Sequence, residues 1–355
     1  AIEGLNSLQS NAALLARIRA SGVNVQELSL PGIRLFLTRL GYSIDELDRL
    51  NAIHIAGTKG KGSTCAMCES VLLQLKKDGK PLRVGLSTSP HLIDVRERIR
   101  IDGKPLSREQ FAHYFFDCRD RLEEGYGVSA DKSSSPYPAY SRFLTIMAFH
   151  VFLQEKVDVA IVEVGIGGMY DSTNVMERPA VCGITSLGLD HQAMLGKTLP
   201  EIARQKAGIA KVGAKDVPLY TSEQPSEAMP AMHKQAALVG VCSTYPSMMH
   251  SLVGAHQRIN AALALQLCDT WSRRILHEPL VDADNVISAV ALHGLAHARW
   301  PGRAETLRLQ GGANGPEIWR LDGAHTQESM QVCSDWYQKE CEAAESEAST
   351  GRTTR

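Results

Sequence analysis

A glycine-rich segment with lysines and hydroxyl residues carries the clearest chemistry in this sequence. It runs from Ala56 to Thr64 as Ala-Gly-Thr-Lys-Gly-Lys-Gly-Ser-Thr. Glycines let backbone N–H groups approach an anion closely, and Lys61 adds a positive charge. A helix that begins near Ser63 would direct the positive end of its dipole at the same point. The segment differs from the common phosphate loop, G-x-x-x-x-G-K-[ST], because Gly62 separates the lysine from the serine. It predicts a binding site for the phosphates of a nucleoside triphosphate.

Acidic and imidazole side chains follow two other apolar segments. Glu163 ends one of them, and His191 follows another. A carboxylate at the end of a buried strand is costly unless it is paired or binds a cation. Mg²⁺ prefers oxygen ligands and leaves room for phosphate oxygens. Glu163, His191 and a serine hydroxyl are therefore a candidate metal site. The alternatives are a carboxylate held by loop amides and a histidine held by hydrogen bonds.

Further charged residues have simpler interpretations when each is taken alone. Lys206 falls on a predicted helix, where a solvated lysine is the usual role, and the charges from Arg96 to Arg100 are typical of a solvated face. Asp322 and His325 follow a strand-like segment of a second unit. Polar groups of that unit would therefore be able to close over a bound nucleotide.

Apolar segments alternate with helical patterns from residue 50 onward, after a helical start that includes Asn11–Ala20 and Gly32–Leu40. The predicted strands are Leu50–Ala56, Leu82–Ser87, Val157–Val164, Val181–Leu187, Val217–Thr221 and Leu238–Ser243. The predicted helices are Ser63–Lys77, Ser107–Glu123, Ser141–Glu155, Thr198–Ala210, His256–Trp271 and Asp284–Leu292. This order predicts an α/β fold with a mostly parallel sheet that helices cover on both faces. Ligands bind such sheets at the carboxyl ends of the strands, where each polar cluster above falls.

The sequence divides into three parts. Residues 1–298 are expected to form an ATP-binding central domain with a helical N-terminal segment, and 299–341 the start of a second α/β domain. Residues 342–355 are rich in Glu, Ser, Ala and Thr and are expected to form a disordered tail. Because too little chain follows Arg303 to bury an independent core, we expect the second domain to be truncated.

Composition excludes several classes of protein. The 355 residues are 44% hydrophobic with a formal net charge of -1, and no basic stripe interleaved with aromatics is present. Nucleic-acid binding is therefore not expected. No run of 18 apolar residues occurs, so no membrane span is expected. Eight cysteines lie mostly in apolar patterns, which predicts reduced thiols. We expect a cytoplasmic monomer, with a mitochondrial form as the alternative.

Seven motifs in order make the chain resemble the folylpolyglutamate synthases, ATP-dependent amide ligases of the Mur ligase superfamily. They are Gly57–Thr64; Thr88–Leu92 with Arg96–Ile99; Gly165–Gly168 with Asp171–Asn174; Leu189–His191 with Gln205–Gly208; His256–Asn260; Trp300–Arg303; and Asp322–His325. The resemblance runs from about Leu5 to about Trp336. Gly62 gives the superfamily's form of the phosphate loop, and Lys59 is typical of the eukaryotic branch.

The resemblance implies roles for individual residues. ATP binding is implied for Gly57, Thr58, Gly60, Lys61, Gly62, Ser63, Asn260, Arg303 and Asp322. Magnesium binding is implied for Ser89, Glu163 and His191, and catalytic roles for Lys61, Lys206 and His325. Asn260 would face the adenine. Lys206 matches a lysine that family members carry as a carbamate, and a monovalent cation is a further cofactor that the family admits.

The implied reaction is amide-bond formation at the expense of ATP. The γ-carboxylate of a reduced folate attacks the γ-phosphate to give an acyl phosphate, which the amine of L-glutamate then attacks. Three alternatives stay open: a catalytically impaired ATP-binding remnant, dihydrofolate synthase activity, and a cell-wall peptide ligase of the same superfamily. Lys59 and the segment Trp300–Arg303 disfavour the last of these.

Overall fold

A seven-stranded sheet forms the centre of the structure, a computed structural model that describes residues 1–9, 29–128, 135–211, 216–239, 255–312 and 315–350. The strands of the described chain are β1 (Ile53–Ala56), β2 (Lys76–Lys77), β3 (Lys80–Pro81), β4 (Val84–Ser87), β5 (Ile99–Ile101), β6 (Lys104–Pro105), β7 (Val159–Glu163), β8 (Val181–Ile184), β9 (Leu219–Thr221), β10 (Glu305–Gly312) and β11 (Gly315–Leu321).

The helices of the same ranges cover this sheet and the hairpin that follows it. They are α1 (Ile2–Ser7), α2 (Ser29–Arg39), α3 (Lys61–Leu72), α4 (Arg108–Val128), α5 (Tyr140–Gln154), α6 (Gln192–Leu195), α7 (Leu199–Ala207), α8 (Met229–Val239), α9 (Ala255–Ile275), α10 (Ala289–His297) and α11 (Gln327–Thr350). Short 3₁₀ helices span Ile44–Leu50, Val95–Arg98 and Ser172–Val175. None of these helices is long and apolar enough to cross a membrane.

The strand order is β6-β5-β4-β7-β1-β8-β9. Strands β4, β7, β1, β8 and β9 are parallel, while β5 and β6 extend one edge in antiparallel pairing. The order places β1 between β7 and β8, with Ile53 opposite Ile161 on one side and Val181 on the other. The loops after β1, β7 and β8 therefore meet at one edge. The prediction of a mostly parallel sheet flanked by helices is confirmed.

Buried apolar residues fill both faces of the sheet. One face packs against α2, α4 and α5, with Leu37, Phe115 and Phe149 in its core. The other face packs against α3 and α9. There Trp271 is fully buried and its indole Nε1 donates to Asn51 O at 2.8 Å. Helix α3, which follows the phosphate loop, is thus fixed between the sheet and α9.

Several predicted helices differ in their bounds from the structure, and for two of them the local sequence gives the reason. The helix predicted over Ser63–Lys77 ends at Leu72, and β2 and β3 form a hairpin beyond it. Its turn residues Asp78 and Gly79 both have positive φ, which suits a tight hairpin. The helix predicted over Asp284–Leu292 begins only after Ser288, whose hydroxyl accepts from Ala291 N at 3.3 Å. A serine N-cap outweighs the apolar period there.

Two other predictions meet the limits of the described chain. The strand predicted over Leu238–Ser243 is wrong at residues 238–239, which end α8, and 240–243 lie outside the described residues. The helical segment Asn11–Ala20 also lies outside them. Helix α11 continues to Thr350, so disorder from Glu342 is wrong for 342–350, where alanine and glutamate are strong helix formers.

Candidate functional site

A cavity of about 930 Å³ opens at the carboxyl ends of the parallel strands. Segments after β1, β4, β7 and β8 line it, together with residues on either flank of the β10–β11 hairpin and residues of α11. Residues implicated by the sequence that lie in its wall are Thr58, Gly60, Lys61, Gly62, Ser63, Ser89, Glu163, His191, Asn260, Arg303, Asp322 and His325. Gly57 and Lys206 lie behind this wall and contact each other.

The phosphate loop is fixed by backbone contacts to the segment after β8. The N–H groups of Thr58 and Lys59 donate to Ser186 O at 3.1 and 3.0 Å. Helix α3 begins at Lys61, two residues before the predicted start at Ser63. Its first N–H groups and dipole therefore lie at the loop itself, as an anion site requires.

At two positions of the phosphate loop, neighbouring atoms leave room only for glycine. A Cβ at Gly57 would lie 1.8 Å from Thr185 Oγ1, and one at Gly60 would lie 2.2 Å from Asn260 Oδ1. Both glycines also have positive φ, at 146° and 86°. The structure places Asn260 directly against the loop, where its amide nitrogen also donates to Gln257 Oε1 at 3.1 Å.

Glu163 ends β7 as a buried carboxylate at the cavity wall. Its Oε2 accepts from Ser89 N at 2.8 Å. Burial raises the pKa of this carboxyl, and the charge of Lys61, the Ser89 N–H and the charge of Arg303 oppose that rise. The carboxylate is thus held by one loop amide and remains near the cations of the site.

Ser89, Glu163 and His191 fit a divalent cation only if a bound nucleotide supplies further ligands. Ser89, Glu163 and His191 line the same cavity, but within the described ranges no three His, Cys, Asp or Glu side chains converge on one point. His191 is half-exposed, with Nε2 3.7 Å from Asp190 Oδ2. A buried carboxylate and a hydroxyl suit Mg²⁺, which takes its remaining ligands from water and phosphate. The residues present therefore fit such an ion bound together with a nucleotide.

Lys206 is buried in α7, and the solvated role that was open to it from sequence is wrong. Its Nζ donates to Gly57 O at 2.7 Å, across the base of the phosphate loop. Burial lowers the pKa of Lys206 to about 7, with a further contribution from Lys61. Near neutral pH this amine therefore exists in both protonated and neutral forms.

A chain of buried polar groups supports the loop after β7. Asp171 accepts from Thr173 N at 2.9 Å and from Ile166 N at 3.3 Å. The hydroxyl of Thr173 donates to Asp171 and contacts His54 Nε2 at 2.8 Å. Burial lowers the pKa of His54 well below its ordinary value. His54, Thr173 and Asp171 together hold the loop that leads to the cavity.

The buried neutral His54 predicts a loss of stability in acid. When folding lowers the pKa of a histidine, the folded state is at its most stable above the pKa of the unfolded state. As pH falls from there toward the folded pKa, the unfolded state takes up a proton that the folded state does not, and stability is lost. Below about pH 6.5 the free energy of unfolding should fall by up to about 1.4 kcal/mol per pH unit from this group. The free energy of unfolding is measured by urea titration at pH 7.5, 6.5 and 5.5. Its dependence on pH should be weaker in His54→Gln than in wild type. His293→Gln, a change at an exposed histidine, is the control and should keep the wild-type dependence. The same pH dependence of the free energy of unfolding in His54→Gln and wild type would contradict this role of His54.

The C-terminal unit brings Arg303 to the cavity. A Cβ at Gly323 would lie 1.4 Å from an Arg303 guanidinium nitrogen, so a side chain there would displace the guanidinium from its present position. The carboxylate of Asp322 accepts from Ala304 N and Ala324 N, both at 2.8 Å. His325 is exposed, with Nδ1 2.9 Å from Gly323 O. Asp322 thus shapes the turn, while Arg303 and His325 face the cavity.

Two arginines of the cavity wall were missed as site residues. Arg98 donates from Nε to His91 Nδ1 at 2.9 Å, and its guanidinium lies 5.7 Å from the Tyr140 ring. Arg142 has no hydrogen-bond or ion-pair partner among the described residues, and burial lowers its pKa. It lies in the first turn of α5, where the helix dipole disfavours a cation. The sequence around these arginines does not reveal that they line a site, because the role depends on burial of the side chain in the folded protein. Both arginines are available to an anionic substrate.

Known proteins resemble this chain over most of its length. A mitochondrial folylpolyglutamate synthase of Bos taurus is 43% identical over 96% of this chain and 60% of its own length. The folylpolyglutamate synthase of Candida albicans is 41% identical over 96% of this chain and 69% of its own. A solved bifunctional folylpolyglutamate synthase/dihydrofolate synthase, with Mn, AMPPNP and L-glutamate bound, is 29% identical with a TM-score of 0.67 and covers 92% of this chain and 74% of that one.

No protein-family model matches the chain. The chain spans about 60% of the length of the bovine relative. Sequence identity above 40% extends over nearly the whole chain, and the fold resembles that of the solved bifunctional enzyme. By these similarities the chain belongs to the folylpolyglutamate synthase family.

Proposed function

We propose that this chain carries the activating site of an ATP-dependent ligase that adds L-glutamate to the γ-carboxylate of a folylpolyglutamate. The observation that carries the proposal is the convergence of the phosphate loop, Glu163 and Arg303 on one cavity. The names of the relatives support the substrate class, and the solved structure with AMPPNP and L-glutamate supports the two co-substrates. The bovine relative is named as mitochondrial, which favours the mitochondrial form among the predicted locations.

The chemistry follows from the charges at the site. A carboxylate oxygen of the folate attacks the γ-phosphorus, the bond to the β-phosphate oxygen breaks, and ADP leaves. The neutral amine of glutamate then attacks the acyl carbon, the amine loses a proton, and inorganic phosphate leaves. Each step brings anions together, so Lys61 and Arg303 are needed to offset repulsion and the charge that develops on transfer. Arg98 and Arg142 are placed to take carboxylates of the substrate.

The metal belongs to this proposal as a partner of the nucleotide. Glu163, the Ser89 hydroxyl and His191 would hold Mg²⁺. Bound there, the ion would neutralise charge on the phosphate oxygens. The Mn-bound relative supports a divalent ion of this kind. A monovalent cation remains a prediction from the resemblance alone.

We also propose that Lys206 is carried as a carbamate. The neutral amine attacks CO₂, a C–N bond forms, and one proton is released. The pKa of about 7 supports this, because the neutral amine increases as pH rises through 7. Protein equilibrated with ¹³C-bicarbonate should therefore show a carbamate carbonyl signal by NMR that grows from pH 6.5 to 8 and is lost in Lys206→Met. Lys211 is a matched control, since burial lowers its pKa to about 8 and it contacts Asn174. A signal that survives Lys206→Met and disappears in Lys211→Met would contradict the assignment.

The proposed activity is tested by ADP release measured with and without each co-substrate. We expect release that requires both tetrahydrofolate and L-glutamate and gives a product heavier by one glutamate. ATP binding without glutamate-dependent release would indicate the impaired remnant instead. Dihydropteroate in place of tetrahydrofolate tests dihydrofolate synthase activity in the same assay, and a product with that substrate alone would replace the proposed reaction.

A further inference from the structure

Gly62, the residue that distinguishes this phosphate loop, is required by the space that Trp300 occupies. It lies in the first turn of α3, so its backbone conformation is an ordinary helical one. A Cβ at Gly62 would lie 2.9 Å from Trp300 Nε1 and 3.3 Å from Cε2. The indole therefore packs directly on the phosphate loop, and any side chain at Gly62 would displace it.

A largely buried ion pair also contacts the indole. The guanidinium carbon of Arg100 lies 5.6 Å from the centre of the Trp300 ring, within reach of a cation–π interaction. The same guanidinium contacts Glu69 Oε2 at 3.1 Å. Glu69 lies seven residues after Gly62, two turns along the same face of α3. The phosphate-loop helix thus contacts Trp300 directly and through Arg100.

This ion pair is incompletely hydrogen-bonded. Glu69 Oε1 and Arg100 Nε are buried atoms with no hydrogen-bond partner within the described chain. A buried pair of this kind contributes little net stability, because desolvation offsets much of the attraction. Its structural effect is to hold the Arg100 guanidinium against the indole beside the phosphate loop.

Trp300 also determines where Arg303 enters the site. Arg303 N donates to Trp300 O at 3.3 Å, which closes a single turn between them. Gly302, with φ of 69°, lies within that turn against Leu92. A Cβ at Gly302 would lie 3.0 Å from Leu92 Cδ1. The turn is therefore tightly confined, and a shift of the indole would move the backbone of Arg303.

We propose that Trp300 is a positioning residue that holds Arg303 at the phosphate loop, with the Arg100–Glu69 pair as its support. The proposal rests on the proposed function for the role of Arg303 in catalysis. Misplacement of a catalytic group by about 1 Å can cost about 10²-fold in rate. Trp300 would affect nucleotide binding and phosphoryl transfer only through the position of Arg303.

A double-mutant cycle between Trp300 and Arg303 tests this inference. Affinity for AMPPNP is measured by calorimetry on the full chain, because it does not depend on glutamate ligation and so separates this inference from the proposed function. Trp300→Ala should weaken binding about tenfold, and its effect should vanish in an Arg303→Ala background. Trp300→Phe, which keeps a ring over Arg100, should recover most of the affinity. Trp319→Ala, an exposed tryptophan of β11, is the matched control and should change nothing.

A second cycle tests the support that Arg100 gives the indole. Arg100→Gln keeps the indole but removes the guanidinium together with its contacts to Glu69 and Gly103 O, so the urea midpoint of this variant is measured beside its affinity. The change should weaken AMPPNP binding about threefold, and again only when Arg303 is present. Equal losses with and without Arg303, or unchanged binding in Trp300→Ala, would overturn the proposal. If ligase activity is measurable, the rate of glutamate addition should follow the same non-additive pattern.

Discussion

Replacing Lys61 with alanine is expected to abolish ATP-dependent glutamate addition while the fold is retained. Lys61 begins α3 at the cavity wall, where its Nζ contacts only Thr58 O among the hydrogen bonds of the described chain. Its charge acts on Glu163 and Lys206 and would act on the transferred phosphoryl group. Loss of one such charge-stabilising group costs about 10²–10³-fold in rate. We expect a fall in kcat of about 10³-fold, measured by ADP release.

The control for Lys61→Ala is Lys104→Ala, a change of the same kind on the exposed strand β6. Lys104→Ala should retain wild-type turnover, and the urea midpoints of both variants should lie close to that of wild type. Near-normal glutamate addition by Lys61→Ala would remove the phosphate loop from the proposed mechanism.

Replacing Glu163 with glutamine is expected to keep or raise the thermal stability of the free protein while it lowers the rate of glutamate addition. The buried carboxylate is costly to the free protein, as its raised pKa indicates. The amide keeps the shape and removes that cost, so the Tm without ligand should stay equal or rise. The same change removes the only buried carboxylate of the proposed metal set, so the stabilisation given by MnATP and the rate of glutamate addition should both fall, the rate by about 10²-fold or more.

A thermal-shift series with and without MnATP measures both effects of Glu163→Gln. Glu177→Gln, an exposed carboxylate paired with Arg34 at 2.7 Å, is the control and should keep the wild-type shift. A full MnATP shift in Glu163→Gln would contradict the placement of the ion at this carboxylate. A large fall in the ligand-free Tm would instead show that the carboxylate supports the fold.

Patterns within one segment predicted the parts of the site that depend on local structure. The strand before the phosphate loop and the loop glycines follow from short-range chemistry. The helix predicted over Ser63–Lys77 instead ends at Leu72, because the residues beyond it form a hairpin. Helix stops and hairpin turns use the same residue types, such as Asp78 and Gly79 in that turn.

Features that depend on distant segments could not be predicted in this way. Lys206 has the pattern of a surface lysine, and its burial against Gly57 arises only when α7 packs under the loop. The burial of the Arg142 guanidinium at the cavity wall likewise becomes visible only in the fold. Gly62 was identified as a family signature, whereas its contact with Trp300 brings together segments more than 200 residues apart.

In the proposed reaction the phosphate loop activates a folate carboxylate through an acyl phosphate. Its most direct test follows oxygen from a folate labelled with ¹⁸O in the γ-carboxylate, with ATP and L-glutamate supplied and the released phosphate analysed by mass spectrometry. One ¹⁸O should appear in the phosphate for each glutamate added. Phosphate that carries only oxygen from ATP and water, whether or not ADP is released, would contradict it.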